Sequence, residues 1–157
     1  MVDGSRSADD ELLNSVGVAF ARLRRRTHLV KTEEQQFDRK DLSRNLIINA
    51  IDEAAGEMTV GGIAEQLGFD ASVASRIVSD MISRGYLERA ASQHDGRRTV
   101  VRLTGEGIVL RDRYRSQHRQ AFEHITKDWP AWERLEFARL LLKYADATSA
   151  LGQNDVP

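Results

Sequence analysis

The segment ASVASRIVSDMISRG at residues 71–85 constrains the fold of this chain more than any other. Its apolar residues recur at helical spacing: Ala74, Ile77, Val78 and Met81. Residues at positions i, i+3, i+4 and i+7 lie on one face of an α-helix. Asp70 is of a type that caps helix N-termini, and Gly85 is of a type that ends helices. The segment therefore predicts a helix with one buried face and one face of small polar residues.

A shorter helical pattern, GGIAEQLG, comes just before this helix. Thr59 can cap its start, and Gly68 permits the left-handed conformation that stops a helix. Its apolar residues Ile63, Ala64 and Leu67 are expected to face inward. Because only a tight turn separates the two helices, we expect a helix-turn-helix.

Another apolar stripe lies upstream in LIINAIDEAA, formed by Leu46, Ile47, Ala50, Ile51 and Ala54. Asp41 and Ser43 are capping types that stand just before it, and Gly56 follows it. Downstream, Tyr86 to Ala90 and Thr99 to Thr104 have the composition of short strands. Asp95-Gly96 between them favours a hairpin. A helix-turn-helix followed by such a hairpin is a winged module.

Long helices are predicted at both ends of the chain, which contains only two prolines. One runs from about residue 9 to 31; Thr104 caps a second one, and Pro130 starts a third. The predicted fold is mainly α with a small β-wing: a winged helix-turn-helix with long N- and C-terminal dimerisation helices. We expect one domain over 1–157, with a DNA-binding lobe at 41–104 and dimerisation helices at 9–31 and 105–148.

The polar face of the helix at residues 71–85 carries small side chains and one cation: Ser72, Val73, Ser75, Arg76 and Ser79. Such a face can lie close to base edges in a DNA major groove, where Ser and Arg donate hydrogen bonds and Val73 meets a thymine methyl. Arg97 and Arg98 at the hairpin tip can enter a minor groove or grip the backbone. The alternatives are a merely solvated helix face and a structural salt bridge between Arg97 and Asp95, although that carboxylate could also aim the guanidinium.

The chain from DLSRNLIINAIDEA to DGRRTVVRLTGEG resembles the MarR family of bacterial regulators over about residues 41–107. Its most specific pieces are AEQLG, RGYLER and DGRRTVVRLT. The resemblance implies a dimer with interlocked terminal helices, and a recognition helix lined by the polar face described above. It also implies that Arg97 is a wing-tip arginine held by Asp95. Val73 stands where the family often has a polar residue, which leaves the operator sequence open.

The terminal helices carry apolar residues that a small winged module cannot cover: Leu12, Val16, Phe20, Leu23, Trp132, Leu135, Leu141 and Leu142. We expect a two-fold mate to bury them, with packing inside one chain as the alternative. A homodimer predicts a near-palindromic double-stranded DNA operator. The resemblance further suggests a small aromatic or phenolic anion as effector. The polar residues nearest its expected place are His28, Arg111, Tyr114 and His118, each of which can equally serve the surface or an interface.

Several classes of function are disfavoured by composition. The chain has no cysteine, which excludes disulfides, thiolate metal sites and cysteine nucleophiles. His118 and His124 are six residues apart and do not share a helix face, so no metal site is expected. We find no phosphate loop or catalytic triad, and predict neither enzyme activity nor a cofactor. Without an apolar run for a signal peptide or membrane span, we expect a cytoplasmic protein.

These patterns predict a ligand-responsive repressor that binds DNA as a homodimer. The net charge of −1 does not decide the matter, because DNA binding depends on where the charges lie. The alternative is a winged-helix module that binds another protein and never touches DNA. Only the wing arginines and the serine-rich helix face argue against that alternative.

Overall fold

The computed structural model describes the backbone of residues 3–26 and 39–154, and the side chains of residues 8–24 and 40–150. In these ranges the chain forms seven helices and two strands. The helices are α1 (Asp3–Asn14), α2 (Val16–Arg26), α3 (Arg39–Glu53), α4 (Val60–Leu67), α5 (Ala71–Ser83), α6 (Gly105–Ile125) and α7 (Ala131–Asn154). The strands are β1 (Leu87–Ala91) and β2 (Thr99–Leu103). The expected fold class, mainly α with a small β-wing, is confirmed.

The N-terminal helix differs from its prediction in two ways. It begins at Asp3 rather than at residue 9, and a turn at Ser15 divides it into α1 and α2. The hydroxyl of Ser15 donates to the carbonyl of Glu11 at 2.9 Å, and a serine that bonds back in this way often disturbs a helix. The predicted end, residues 27–31, lies outside the described residues.

Helix α3 also starts earlier than predicted. It begins at Arg39, so Asp41 and Ser43 lie within its first turns and do not cap it. A carboxylate in the first turn still favours the helix, because the N-terminus carries partial positive charge.

The remaining predicted caps are found, with one difference in detail. The hydroxyl of Thr59 accepts from the amide of Gly62 at 3.0 Å, and Gly68 ends α4 with a φ of 62°. Thr104 accepts from the amide of Gly107 at 3.1 Å at the start of α6. Asp70 stands at the N-cap of α5, but its side chain makes no capping hydrogen bond.

The two strands pair antiparallel, with Leu87 opposite Leu103 and Ala91 opposite Thr99. Met58, in the turn between α3 and α4, forms a further bridge to Val101 through hydrogen bonds of 3.1 and 2.8 Å. The wing sheet is thereby tied by backbone bonds to the start of the helix-turn-helix.

The core joins the helix-turn-helix, the wing and the first half of α6. Its fully buried residues are Ile47, Ile48, Ile51, Ile63, Val78, Met81, Leu87, Val101, Leu110 and Tyr114. Leu46, which the apolar stripe predicted to be inward, is about half exposed, and Ile48 is buried instead. The stripe is therefore rotated by part of a turn from the one predicted.

Contacts within the chain divide it into two units, residues 1–115 and 116–157. In the second unit the rings of Phe122 and Phe137 stack with centroids 6.2 Å apart, and Trp129 meets Phe137 edge-on at 5.5 Å. These aromatic contacts hold the end of α6 against α7.

Candidate nucleic-acid interface

Helix α5 is fixed by its buried face. Ala74, Val78 and Met81 are fully buried, and the carbonyl of Asp70 accepts from the amides of Val73 and Ala74 at 2.9 and 3.0 Å. Burying three residues of this size contributes several kcal/mol, about 1.5–3 kcal/mol for each larger side chain. The orientation of the opposite face follows from this packing.

The opposite face of α5 points to solvent. Ser72, Ser75, Arg76 and Ser79 are exposed, and Val73 is half-buried. The Arg76 guanidinium has no ion pair with any described residue, which leaves its donors available. A helix face of small side chains with one unengaged guanidinium can approach base edges closely.

A cleft of about 560 Å³ lies beside this face, between the start of α3 and α5. It is lined by Lys40, Ser43, Arg44, Val73, Arg76, Ile77 and Asp80. Three of these residues are cationic and one is an acid that already binds arginines. Since Arg76 belongs to the polar face itself and Arg44 is paired with Asp41 and Asp80, Lys40 is the positive charge that the cleft adds beside α5.

A network of charges crosses from α6 through α3 to α5. Arg44 donates to Asp41 at 3.2 Å and to Asp80 on α5 at 2.9 Å. Asp80 also accepts from Arg84 at 3.1 Å. Asp41 in turn accepts from the hydroxyl of Tyr114 on α6 at 2.9 Å.

The network shifts the pKa of its members in directions that favour the ion pairs. Hydrogen bonds from Arg44 and then Arg84 lower the pKa of Asp80. Burial disfavours the charged form of Arg44, but bonding to Asp80 and Asp41 outweighs it and raises the pKa. Burial, and then the bond to Asp41, raises the pKa of Tyr114 to about 12. These groups stay in the protonation states that hold three helices together.

The wing loop, residues 92–98, is longer than a two-residue hairpin turn. The amide of Arg98 donates to the carbonyl of Asp95 at 2.9 Å and closes a turn there. Gly96 does not have a positive φ, so this is not the mirror-image turn that Asp-Gly pairs favour. The carboxylate of Glu57 accepts from the hydroxyl of Ser92 and from the amide of Gln93. These bonds lower the pKa of Glu57.

The side chains of Arg97 and Arg98 are exposed at the tip of this loop. Asp95 accepts from the backbone amide of Arg97 at 3.1 Å. Within the part of the chain that the structure describes, no ion pair forms between Asp95 and the Arg97 guanidinium. The salt bridge that the sequence left as an alternative is therefore not formed there. Asp95 shapes the backbone, and neither guanidinium group forms an ion pair with a described residue.

A family model described as "MarR family" matches residues 46–98, from the buried part of α3 to the wing loop. Over residues 46–98 the chain is therefore similar to the MarR family. No curated protein matches the chain with significance.

Solved structures are similar to this chain beyond the matched segment. The PcaV transcriptional regulator from Streptomyces coelicolor is 25% identical, with a TM-score of 0.52, 85% of this chain covered and 97% of PcaV covered. A second PcaV structure, in complex with its natural ligand, is 26% identical, with 84% and 92% covered and a TM-score of 0.52. A MarR family protein from Bacillus stearothermophilus has a TM-score of 0.57 at 16% identity, with 95% and 99% covered. This last likeness is one of fold alone.

The residues predicted to lie nearest an effector are found in different settings. Arg111 is ion-paired with Asp52 at 3.3 Å and with Asp112 at 3.0 Å. Tyr114 is buried in the core, and its hydroxyl donates to Asp41. His118 is exposed, and His28 lies outside the described residues. Arg111 and Tyr114 are thus already engaged by partners in the chain.

Sequence reasoning missed Lys40, Arg44 and Asp80 beside the polar face of α5, and Glu57 beside the wing loop. Two of the contacts involved join residues distant in sequence: Arg44 and Asp80 are 36 residues apart, and Glu57 and Ser92 are 35 apart. Among the described residues, no cluster of His, Asp or Glu could hold a metal ion. None of the described helices is long and apolar enough to cross a membrane.

Proposed function

We propose that this protein is a sequence-specific, double-stranded DNA-binding transcriptional regulator. The observation that carries the proposal is the pairing of two unengaged cationic features next to each other in one module. Helix α5 exposes Ser72, Ser75, Arg76 and Ser79, and the hairpin that follows it exposes Arg97 and Arg98. Arginine side chains that form no ion pair among the described residues are suited to bases and phosphates.

The two features have different tasks in this proposal. The polar face of α5 enters the major groove, where Arg76 can fork onto a guanine and Ser72 can donate to a base or phosphate. Arg97 and Arg98 reach the backbone or the adjacent minor groove. Lys40 in the cleft beside α5 adds a further positive charge near the phosphates.

We further propose that the protein binds as a homodimer, with a DNA-binding lobe at 41–104. The helices outside this lobe expose large apolar side chains to a degree that is unusual for a monomer. Leu12 on the first pair of helices is 71% exposed, and Leu135 and Trp132 on α7 are 69% and 68% exposed. Burial against a second copy would set two recognition helices about 34–36 Å apart on a near-palindromic operator.

The regulatory mode we propose is repression relieved by a small aromatic or phenolic anion. The likeness to PcaV, whose structure was solved in complex with its natural ligand, supports a response to a ligand. The class of anion and the repression are what the family resemblance suggests. Since its target is the chromosome, we place the protein in the cytoplasm. The effector site itself is not assigned to residues, because Arg111 and Tyr114 are held by acids of the chain.

Fluorescence anisotropy on duplexes that the protein selects from fragmented genomic DNA tests the proposal. We expect tight binding to selected duplexes and an affinity that falls steeply with salt, because several phosphate contacts release counterions. A scrambled duplex of equal length and composition is the control. Equal binding to both duplexes would refute sequence specificity, and no binding to either would leave the alternative of a protein-interaction module.

A further inference from the structure

The carboxylate of Glu57 is the point at which the wing loop is attached to the helix-turn-helix. Glu57 lies in the turn between α3 and α4, and the loop it binds is 35 residues further along the chain. Its oxygen Oε1 accepts from the hydroxyl of Ser92, and both oxygens accept from the amide of Gln93 at 3.2 Å. One side chain thus receives the donors at the base of the loop.

Ser92 connects Glu57 to the rest of the loop through further hydrogen bonds. Its hydroxyl oxygen accepts from the amides of His94 at 3.1 Å and Asp95 at 3.3 Å, while its own proton goes to Glu57. Asp95 then fixes the amide of Arg97. A continuous chain of hydrogen bonds therefore runs from Glu57 to the backbone that carries the wing arginines.

The attachment is rigid on the side of Glu57 as well. Its neighbour Met58 exchanges two backbone hydrogen bonds with Val101, a buried residue of β2. The Glu57 backbone therefore cannot move away from the sheet without breaking this bridge.

We infer that Glu57 is a positioning residue for DNA binding: it orders the wing loop so that Arg97 and Arg98 meet DNA in a fixed arrangement. This inference rests on the proposed function. It makes a prediction opposite in sign to simple electrostatics. Removing an acid near a DNA-binding surface should strengthen binding by reducing repulsion of phosphates, whereas losing a positioning residue should weaken it.

The test compares Glu57→Ala with Glu65→Ala, which removes the same charge at an exposed position on α4. Affinity for a selected duplex is measured by anisotropy. Because Glu57 holds the base of the loop through Ser92 and Gln93, we expect Glu57→Ala to weaken binding by about tenfold. Glu65→Ala should leave affinity unchanged or raise it slightly. Affinity of Glu57→Ala equal to or above that of the wild type would overturn the inference.

A double-mutant comparison distinguishes action through the wing from general damage. In a protein that already carries Arg97→Ala and Arg98→Ala, adding Glu57→Ala should change affinity by less than about twofold, since its effect requires those arginines. Ser92→Ala should reproduce the effect of Glu57→Ala and should not add to it. A full additional loss on the arginine-free background would overturn the inference.

Amide hydrogen exchange reports on the loop without DNA. We expect the amides of Gln93, His94 and Asp95 to exchange about tenfold faster in Glu57→Ala, with unchanged rates in α5. Unchanged loop rates would overturn the inference. If the wild-type protein selects no duplex, the regulator function fails and so does the effect on affinity, whereas these rates still decide whether Glu57 orders the loop.

Discussion

The phenol hydroxyl of Tyr114 on α6 donates a hydrogen bond of 2.9 Å to Asp41 on α3. The same carboxylate oxygen accepts from Arg44, and Arg44 also donates to Asp80 on α5. Three successive polar contacts therefore join α6 to α5, the helix that carries the proposed DNA-binding face. Changes at either end of this series should be measurable in stability.

Stability should fall at alkaline pH because of Tyr114. Its pKa is raised from 10.0 to about 12, so between these values the folded protein retains a proton that the unfolded chain has released. The contribution of Tyr114 to the free energy of unfolding is complete below the unfolded pKa of 10.0 and is lost as pH rises through the folded pKa of about 12. Urea unfolding at about pH 9 and about pH 11 measures this loss.

Tyr114→Phe is the matched variant for this measurement, since it keeps the ring and removes the ionisable hydroxyl. It should flatten the alkaline decline, whereas Tyr86→Phe should preserve it. A decline that is the same in all three proteins would contradict the assignment to Tyr114.

Arg44→Ala should destabilise the protein markedly, because its side chain is only 12% exposed and serves two carboxylates. Removing the cation leaves Asp41 and Asp80 partly buried without it, and we expect a loss of about 2–4 kcal/mol. Arg102→Ala is the control, since its ion pair with Glu88 is exposed and should contribute less than about 1 kcal/mol. Chemical denaturation measures the free energy of unfolding of both variants. Similar small losses in the two variants would refute the role of Arg44.

Gly107→Ala should be poorly tolerated. An added Cβ would lie 2.1 Å from the carbonyl oxygen of Tyr86, so the start of α6 must shift away from the end of α5 and the wing. We expect a loss of about 3 kcal/mol or more. At Gly105 the same atom meets nothing within 4 Å, and Gly105→Ala should be neutral or slightly stabilising. Thermal unfolding of the two variants measures this difference. Equal melting temperatures would contradict the close approach of Gly107 to the Tyr86 carbonyl.

Arg76 and Arg97 should differ in how they affect DNA binding. If Arg76 reads a base, Arg76→Ala should cost about 1–3 kcal/mol on the selected duplex and little on a scrambled one. If Arg97 grips the backbone, Arg97→Ala should weaken both by comparable factors and reduce the salt slope by about 1. Anisotropy titrations at several salt concentrations measure both effects. Equal losses on both duplexes from both variants would refute this division of tasks.

Local signals made much of the fold predictable. Thr59, Gly68 and Thr104 act within three or four residues of their own position, so their capping roles can be inferred from sequence. The apolar spacing in α5 likewise predicts which face is buried. Asp41 is the exception: it has the residue type of a cap, but α3 begins two residues before it.

The polar contacts around α5 and the wing loop could not be predicted in this way. Tyr114 and Asp41 are 73 residues apart, and Ser92 and Glu57 are 35 apart. Sequence spacing gives no information on such pairs, because they meet only after the helices and the hairpin have packed. Asp95 shows a related case, since its closeness to Arg97 in sequence suggested an ion pair and the structure forms a turn instead.

The backbone bridge between Met58 and Val101 has a consequence for the energetics of the proposed DNA binding. Because the hairpin is preorganised, little main-chain entropy remains to be lost when the duplex arrives, and the ordering cost falls mainly on two long side chains. A stiff wing of this kind responds to groove width more than a pliable arm would, since it cannot bend to suit every duplex.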